Sequence, residues 1–213
     1  MGALDATVHQ TQANKYGIKG FPTIKAFVNG EPEDYNGGRT KEDLLQFALA
    51  KLEANAPAPE VVQLTDEKAL KENCESKQLC IISVLPHILD CDAKCRNAYL
   101  DTLRQIAEKF KKNQWGYLWA ESVQQPELED ALGLGGFGYP AMAALNIRKM
   151  KYTWLKGSFG FDGINEFLRD LSYGRGSSVP VKGAKLPTIH KIDGWDGKDG
   201  VLPTMDDVIS DEL

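Results

Sequence analysis

Four cysteines are the residues of this 213-residue chain best able to do redox chemistry. Cys91 and Cys95 lie where a helix over 92–110 is predicted to begin, and the dipole of a helix favours a thiolate at its first turn. Cys91 could therefore attack a disulfide and Cys95 resolve it. The spacing Cys-x-x-x-Cys is one residue longer than Cys-x-x-Cys, which occurs nowhere in the chain, and the acidic neighbours Asp90 and Asp92 disfavour the thiolate of Cys91. A reactive pair, a structural disulfide and idle thiols stay open.

The other two cysteines, Cys74 and Cys80, flank a five-residue loop between a predicted helix and a predicted strand. Four cysteines allow three pairings, of which local pairs are the simplest. A bridge between Cys74 and Cys80 would be structural, and the chain-entropy treatment gives it about 2 kcal/mol. The spacings match no common zinc site, so neither a metal nor a cofactor is predicted. His87 near Cys91 could act as a base, although a histidine in a loop is more often only solvated.

Two prolines occupy equivalent positions in a repeated pattern. Pro22 and Pro140 each follow a glycine-rich turn and an aromatic residue, and each opens an apolar strand. A second strand and an amphipathic helix come next in both copies. This recurrence indicates a duplicated half-domain, and we predict a cis peptide bond before both prolines.

The predicted elements divide the chain into four segments. Residues 1–54 supply the second half of an α/β domain, and 55–60, with two prolines, form a stiff linker. Residues 61–175 have the element order of a complete α/β domain. Residues 176–213 lack periodicity and end in acidic side chains, so a flexible acidic tail is predicted.

The first segment is expected to lack the strands and the long helix that would precede it, so the chain is expected to begin inside a domain. Its apolar residues would then have no partner within the segment; they are Ile24, Phe27, Leu45, Leu49 and Leu52. Unpartnered apolar surface favours association or fast local opening. Residues 1–5 do not have the pattern of a signal peptide.

The net charge and the apolar runs of the sequence limit the classes of partner that the chain can bind. The net charge of −5 provides no basic surface for nucleic acid, and no apolar run reaches the roughly 20 residues of a membrane-spanning helix. The acidic tail could bind calcium weakly but offers no fixed oxygen cage. The final residues Ser210-Asp211-Glu212-Leu213 match the last three letters of the Lys-Asp-Glu-Leu retrieval signal.

Several motifs resemble the protein disulfide-isomerases of domain order a, a′, b, over essentially the whole chain. Residues 16–25 and 35–40 are similar to the part of the a′ domain that follows its active site, and 78–80, 85–90, 135–142 and 155–159 are similar to the b domain. Residues 195–200 are similar to the tail of the family. The resemblance implies a thioredoxin-like α/β fold, with a partial thioredoxin unit before a complete, redox-atypical one.

The resemblance also implies a role in the endoplasmic reticulum lumen, where such isomerases rearrange disulfides in unfolded or nascent secretory proteins beside other chaperones. The catalytic Cys-Gly-His-Cys motifs have no counterpart here, so only the substrate-facing cis-proline is carried over, to Pro22 and by the repeat to Pro140. The chain is expected to be mainly a non-catalytic scaffold that binds substrates, with a retrieval receptor as a further partner. The alternative is a thiol-disulfide oxidoreductase acting through Cys91 and Cys95, so enzymatic activity of the chain itself stays open.

Overall fold

The computed structural model describes residues 2–136 and 138–202. It contains two compact units, one up to Ala56 and one from Pro57 onward, and the division falls inside the predicted linker. The acidic terminus with the predicted calcium-binding and retrieval residues, 206–213, lies outside the described residues.

The first unit contains two helices and one hairpin. Its elements are α1 Gln10–Lys15, β1 Lys25–Val28, β2 Glu31–Asp34 and α2 Lys41–Asn55. The strands are antiparallel and meet at Asn29-Gly30, where both residues have positive φ, as a tight hairpin turn requires. Helix α2 begins with a capping box between Thr40 and Asp43, which satisfies two of the free amide groups at its start.

The apolar side chains of the first unit are largely exposed. Phe27, Leu45, Leu49 and Leu52 are 49–69% exposed, and Ile24 is half-buried. No described residue of this unit is buried. The expectation that these residues find no apolar partner within the segment is wrong for Phe27, whose ring lies 5.3 Å from the ring of Tyr16. The exposure of Leu45, Leu49 and Leu52 agrees with it.

The second unit is a six-stranded mixed sheet covered by helices on both faces. Strands β3, β5 and β4 are parallel, and β6, β7 and β8 continue the sheet in antiparallel fashion, in the order β3-β5-β4-β6-β7-β8. The elements are β3 Val61–Gln63, α3 Glu67–Leu70, β4 Cys80–Leu85, α4 Ala93–Lys109, β5 Gly116–Glu121, α5 Pro126–Ala131, β6 Ala141–Asn146, β7 Lys151–Trp154, α6 Phe161–Ser172 and β8 Val179–Pro180. A π-helical turn Lys71–Glu75 follows α3, and short 3-10 turns cover Lys111–Asn113 and Lys182–Ala184.

The core lies on both sides of the sheet because successive strand residues point to opposite faces. In β4, Ile81 and Leu85 face α4 and α6, whereas Ile82 and Val84 face the opposite layer. Burial of side chains of this size stabilises a fold by about 1.5–3 kcal/mol each. Within the described residues, no helix is long and apolar enough to cross a membrane.

The prediction of a flexible tail over 176–213 is corrected for its described part. Val179 and Pro180 form β8 on the edge strand β7, and Val181 and Ile189 are buried in the core. Gln125 binds the main chain of His190. Single residues attach the segment to the rest of the unit at irregular intervals, so its sequence shows no hydrophobic periodicity. A segment without such periodicity can therefore still be ordered.

Candidate functional site

Cys91 and Cys95 form a disulfide at the start of α4. The chain leaves β4 at Leu85 and turns through a short loop. Helix α4 begins after Asp92, whose Oδ1 accepts a hydrogen bond from the Cys95 amide at 2.8 Å. Cys91 is only 4% exposed, and Cys95 is half-buried. The bond rules out idle thiols, whereas a structural disulfide and the oxidised form of a reactive pair both agree with it.

A buried ion pair lies directly beside this disulfide. Arg96 follows Cys95 and is 1% exposed, and its Nη2 lies 2.5 Å from Oε2 of Glu121, the last residue of β5. The same Nη2 donates to the carbonyl oxygen of Pro86 at 3.1 Å. Because a buried charge is costly unless it is paired, the two side chains depend on each other.

His87 is bound to the same carboxylate. Its Nε2 lies 3.1 Å from Oε1 of Glu121, and its Nδ1 accepts a hydrogen bond from the Leu89 amide at 3.2 Å. An acceptor Nδ1 places the ring proton of the neutral imidazole on Nε2, facing Glu121. Both ring nitrogens are engaged, so the idea that His87 serves as a base for Cys91 finds no support in this geometry.

Sequence reasoning missed Arg96 and Glu121. The available signal was weak: Arg96 lies four residues before Leu100, on the apolar face of α4, and Glu121 closes an apolar strand. A charge in either position indicates a buried partner, but only the fold shows that the two meet.

Both predicted prolines have cis peptide bonds, Phe21-Pro22 and Tyr139-Pro140. Pro140 is half-buried and immediately precedes β6, whose Ala141 lies opposite Val84 of β4. It is therefore at the end of the sheet from which the chain leaves toward Cys91. Pro22 is exposed, and its carbonyl oxygen accepts a hydrogen bond from Arg39 at 3.1 Å. That either proline faces a substrate stays a prediction.

The Cys74–Cys80 pair is also a disulfide, with both residues 1% exposed. It joins the π-helical turn to the first residue of β4. Gly116, the register partner of Cys80, leaves room for this turn, because a Cβ there would lie 2.0 Å from the Asn73 carbonyl oxygen. The position in the core suits a structural bridge.

The turn before Pro140 is held by a buried carboxylate. Tyr139 donates its hydroxyl proton to Oε2 of Glu129 at 2.5 Å, and the Val123 amide donates to Oε1 at 2.9 Å. Desolvation, together with the hydrogen bond to Glu129 and its charge, raises the pKa of Tyr139 to about 12. Tyr139 is therefore a neutral hydrogen-bond donor at physiological pH.

Among residues 2–136 and 138–202, no group of three or more His, Cys, Asp or Glu side chains is placed to hold a metal ion.

Comparison with known proteins identifies the family. Residues 50–176 match the family described as PDIA6-like, C-terminal thioredoxin-like domain, and residues 1–50 match thioredoxin. The protein disulfide-isomerase A6 homolog of Drosophila melanogaster is 57% identical over 98% of this chain and 49% of its own length. Protein disulfide-isomerase A6 of Homo sapiens is 56% identical over 98% of this chain and 48% of its own length. The chain thus spans about half the length of the curated relatives it matches.

Among solved structures, the crystal structure of the bb fragment of ERp72 is similar with a TM-score of 0.44 at 15% identity, covering 77% of this chain and 73% of that one. The six-stranded mixed sheet lies in the second unit, whereas each unit has one cis-proline and a match to a thioredoxin-type family. The chain belongs to the protein disulfide-isomerase family, with a C-terminal thioredoxin-like domain of the PDIA6-like kind.

Proposed function

We propose that this chain is the non-catalytic, client-binding half of a protein disulfide-isomerase, and that Cys-x-x-Cys centres outside this sequence carry out the exchange. The observation that supports the proposal most strongly is the state of the cysteines. All four are in disulfides, and three of them are nearly inaccessible. Exchange requires either a free cysteine thiolate, which no described cysteine provides, or a disulfide sulfur that an incoming thiolate can reach, and only Cys95 is more than slightly exposed.

The surroundings of Cys91 also oppose catalysis. The carboxylates of Asp92 and Asp199 both accept hydrogen bonds from amides in the first turn of α4. These two negative charges offset the positive end of the helix dipole, which would otherwise stabilise a thiolate.

Two disulfides within one unit support an oxidising compartment, since such bonds seldom persist in the cytosol. We propose the lumen of the endoplasmic reticulum, with unfolded secretory proteins as clients and lumenal chaperones and the retrieval receptor as further partners. The family membership supports the same compartment and clients.

One observation favours the alternative, a thiol-disulfide oxidoreductase. The Cys91–Cys95 pair lies at the start of the 17-residue helix α4, where a dipole acts on sulfur, and Cys95 is half-buried. A nucleophile could reach this bond through Cys95 more easily than through Cys91.

Binding can be separated from exchange with a client that has no thiols. Reduced and carboxymethylated ribonuclease, which cannot form disulfides, should bind the chain saturably in fluorescence anisotropy. The Cys91→Ser/Cys95→Ser variant should bind with the same affinity. Failure of the folded wild-type chain to bind the carboxymethylated client would overturn the client-binding proposal. Loss of binding in the double variant would show that the binding depends on this disulfide.

A further inference from the structure

A short C-terminal segment, Trp195–Gly200, lies over the start of α4, and we call it the strap. Asp199 attaches the strap to the helix turn that contains the disulfide. Its Oδ1 accepts a hydrogen bond from the amide of Ala93 at 2.7 Å, and Ala93 lies between Cys91 and Cys95 in the sequence. The strap thus caps the helix turn that the disulfide closes.

Trp195 anchors the other end of the strap. Its amide donates to Oε1 of Gln63 at 2.7 Å, and its ring lies 5.1 Å from the guanidinium of Arg96 and 6.2 Å from the ring of Trp119. The indole N–H is satisfied within the strap by the carbonyl oxygen of Lys198, at 2.8 Å. Arg96 directly follows Cys95, so this anchor also depends on the geometry of the helix start.

The strap also contacts the loop before Cys91. A Cβ added at Gly200 would lie 2.6 Å from Cγ2 of Ile88 and 2.8 Å from Cδ2 of Leu89. The strap backbone is therefore packed closely against this loop. It contacts the chain on both sides of Cys91 and between the two cysteines.

We propose that the strap and the Cys91–Cys95 disulfide form a thiol-responsive latch: the docked strap protects the disulfide from reduction by dithiols, and reduction of the disulfide releases the strap. This latch does not depend on whether the chain binds clients. Because the two processes are linked, the factor by which docking lowers the equilibrium constant for reduction is also the factor by which reduction weakens docking.

The reduction is an ordinary two-step exchange with a dithiol. A thiolate of the dithiol attacks Sγ of Cys95, the half-buried partner, and the Cys91 sulfur leaves as a thiolate that takes up a proton. The second thiolate of the reductant then attacks the mixed disulfide and releases Cys95. Two electrons and two protons reach the protein, and the reductant becomes a disulfide.

The docked strap opposes this reaction in two ways. It fixes the backbone between the two cysteines through the hydrogen bond from the Ala93 amide, and the Asp199 carboxylate lies at the turn where the leaving thiolate of Cys91 must develop. Like charges close together disfavour that thiolate. In the reduced chain the Cys91–Cys95 loop is no longer closed covalently, so the Ala93 amide that Asp199 binds loses part of its fixed position.

The first test measures reduction of the full chain by dithiothreitol, using differential alkylation and peptide mass spectrometry to follow each disulfide. Asp199→Asn and Trp195→Ala should speed reduction of Cys91–Cys95 by roughly three- to tenfold, the size expected for loss of one such contact. Asp193→Asn is the matched control, since Asp193 is exposed and lies just before the strap. Cys74–Cys80 serves as an internal control for global opening.

Equal rates for Cys91–Cys95 in Asp199→Asn, Trp195→Ala and Asp193→Asn would overturn the latch. An equal acceleration of both disulfides would also overturn it, because that pattern reports general destabilisation.

The reciprocal test measures amide hydrogen exchange over 193–202. Exchange of the strap should be faster in Cys91→Ser/Cys95→Ser than in the wild-type chain, with 116–121 unchanged as a reference strand. If the double variant does not fold, the wild-type chain can be reduced under mild conditions that leave Cys74–Cys80 oxidised. Unchanged protection of the strap on loss of the Cys91–Cys95 bond would contradict the proposal.

Discussion

Gln125 forms two hydrogen bonds to the main chain of His190, one through each end of its side-chain amide. Its Nε2 donates to the His190 carbonyl oxygen and its Oε1 accepts from the His190 amide, both at 2.8 Å. The same Nε2 also donates to the carbonyl oxygen of Leu64, at 3.3 Å. Gln125 is 1% exposed. One buried side chain therefore joins the C-terminal segment to the sheet and to α5.

Replacing Gln125 by Ala should loosen this attachment. The variant loses both hydrogen bonds to His190 and leaves buried groups unpaired, so the free energy of unfolding should fall by about 1–3 kcal/mol. Denaturant unfolding gives this quantity, and amide exchange over 186–192 should rise. The control Gln78→Ala removes an exposed glutamine and should change little. Equal effects of the two substitutions would contradict the role of Gln125.

Glu121→Gln tests the buried ion pair. It leaves the charge of Arg96 without its carboxylate in an enclosed site, where the guanidinium lies beside the rings of Trp119 and Trp195. The cost should be on the order of 3 kcal/mol in denaturant unfolding, because an uncompensated buried charge is expensive. Glu108→Gln removes the carboxylate of an exposed pair with Lys111 and should cost no more than about 0.5 kcal/mol. A loss of less than about 0.5 kcal/mol in the free energy of unfolding of Glu121→Gln would show that other groups compensate the charge of Arg96.

The Glu127–His190 pair predicts a pH effect. A hydrogen bond from the His190 side chain lowers the pKa of the Glu127 carboxyl below its ordinary value. A lowered folded-state pKa stabilises the fold above the ordinary carboxyl pKa, and this contribution is lost as the pH falls through the lowered value.

The measurement is an NMR titration of the Glu127 carboxyl carbon. His190→Ala should move the Glu127 pKa back toward its ordinary range, whereas His9→Ala, a matched histidine substitution in the first unit, should not. An unchanged pKa in His190→Ala would rule out His190 as the cause.

Local stability should differ between the two units. Helix α2 has no buried residue, whereas α4 buries Leu100, Leu103 and Ile106 against the sheet. We expect amides of α2 to exchange more than about tenfold faster than amides of α4, since local opening is easier where few apolar contacts resist it. Equal protection of both helices in a demonstrated monomer would contradict this expectation.

The sequence predicted the elements whose signals are local. Helix α4 was predicted over 92–110 and spans Ala93–Lys109, because its apolar residues recur at helical spacing along the chain. The cap at Asp92 was not predicted. The cis bonds before Pro22 and Pro140 followed from a repeated turn, strand and helix. Strand β3, with three residues, was too short to show alternation and was missed.

The relationships that the sequence did not predict join residues far apart along the chain. Asp199 and the amide of Ala93 are 106 positions apart, and Arg96 and Glu121 come from different elements. No periodicity encodes such contacts, because each depends on the register and packing of the whole sheet. The packed course of 179–200 was mistaken for a flexible tail for the same reason.

We proposed above that this chain does not itself catalyse disulfide exchange. The most direct measurement is refolding of reduced ribonuclease in a glutathione buffer, with the wild-type chain compared with Cys91→Ser/Cys95→Ser and with a complete isomerase. The wild-type chain and the double variant should give the same low rate, because no accessible thiolate with a nearby resolving cysteine is present. A wild-type rate within about tenfold of the complete isomerase, lost in the double variant, would contradict it and assign catalysis to Cys91 and Cys95.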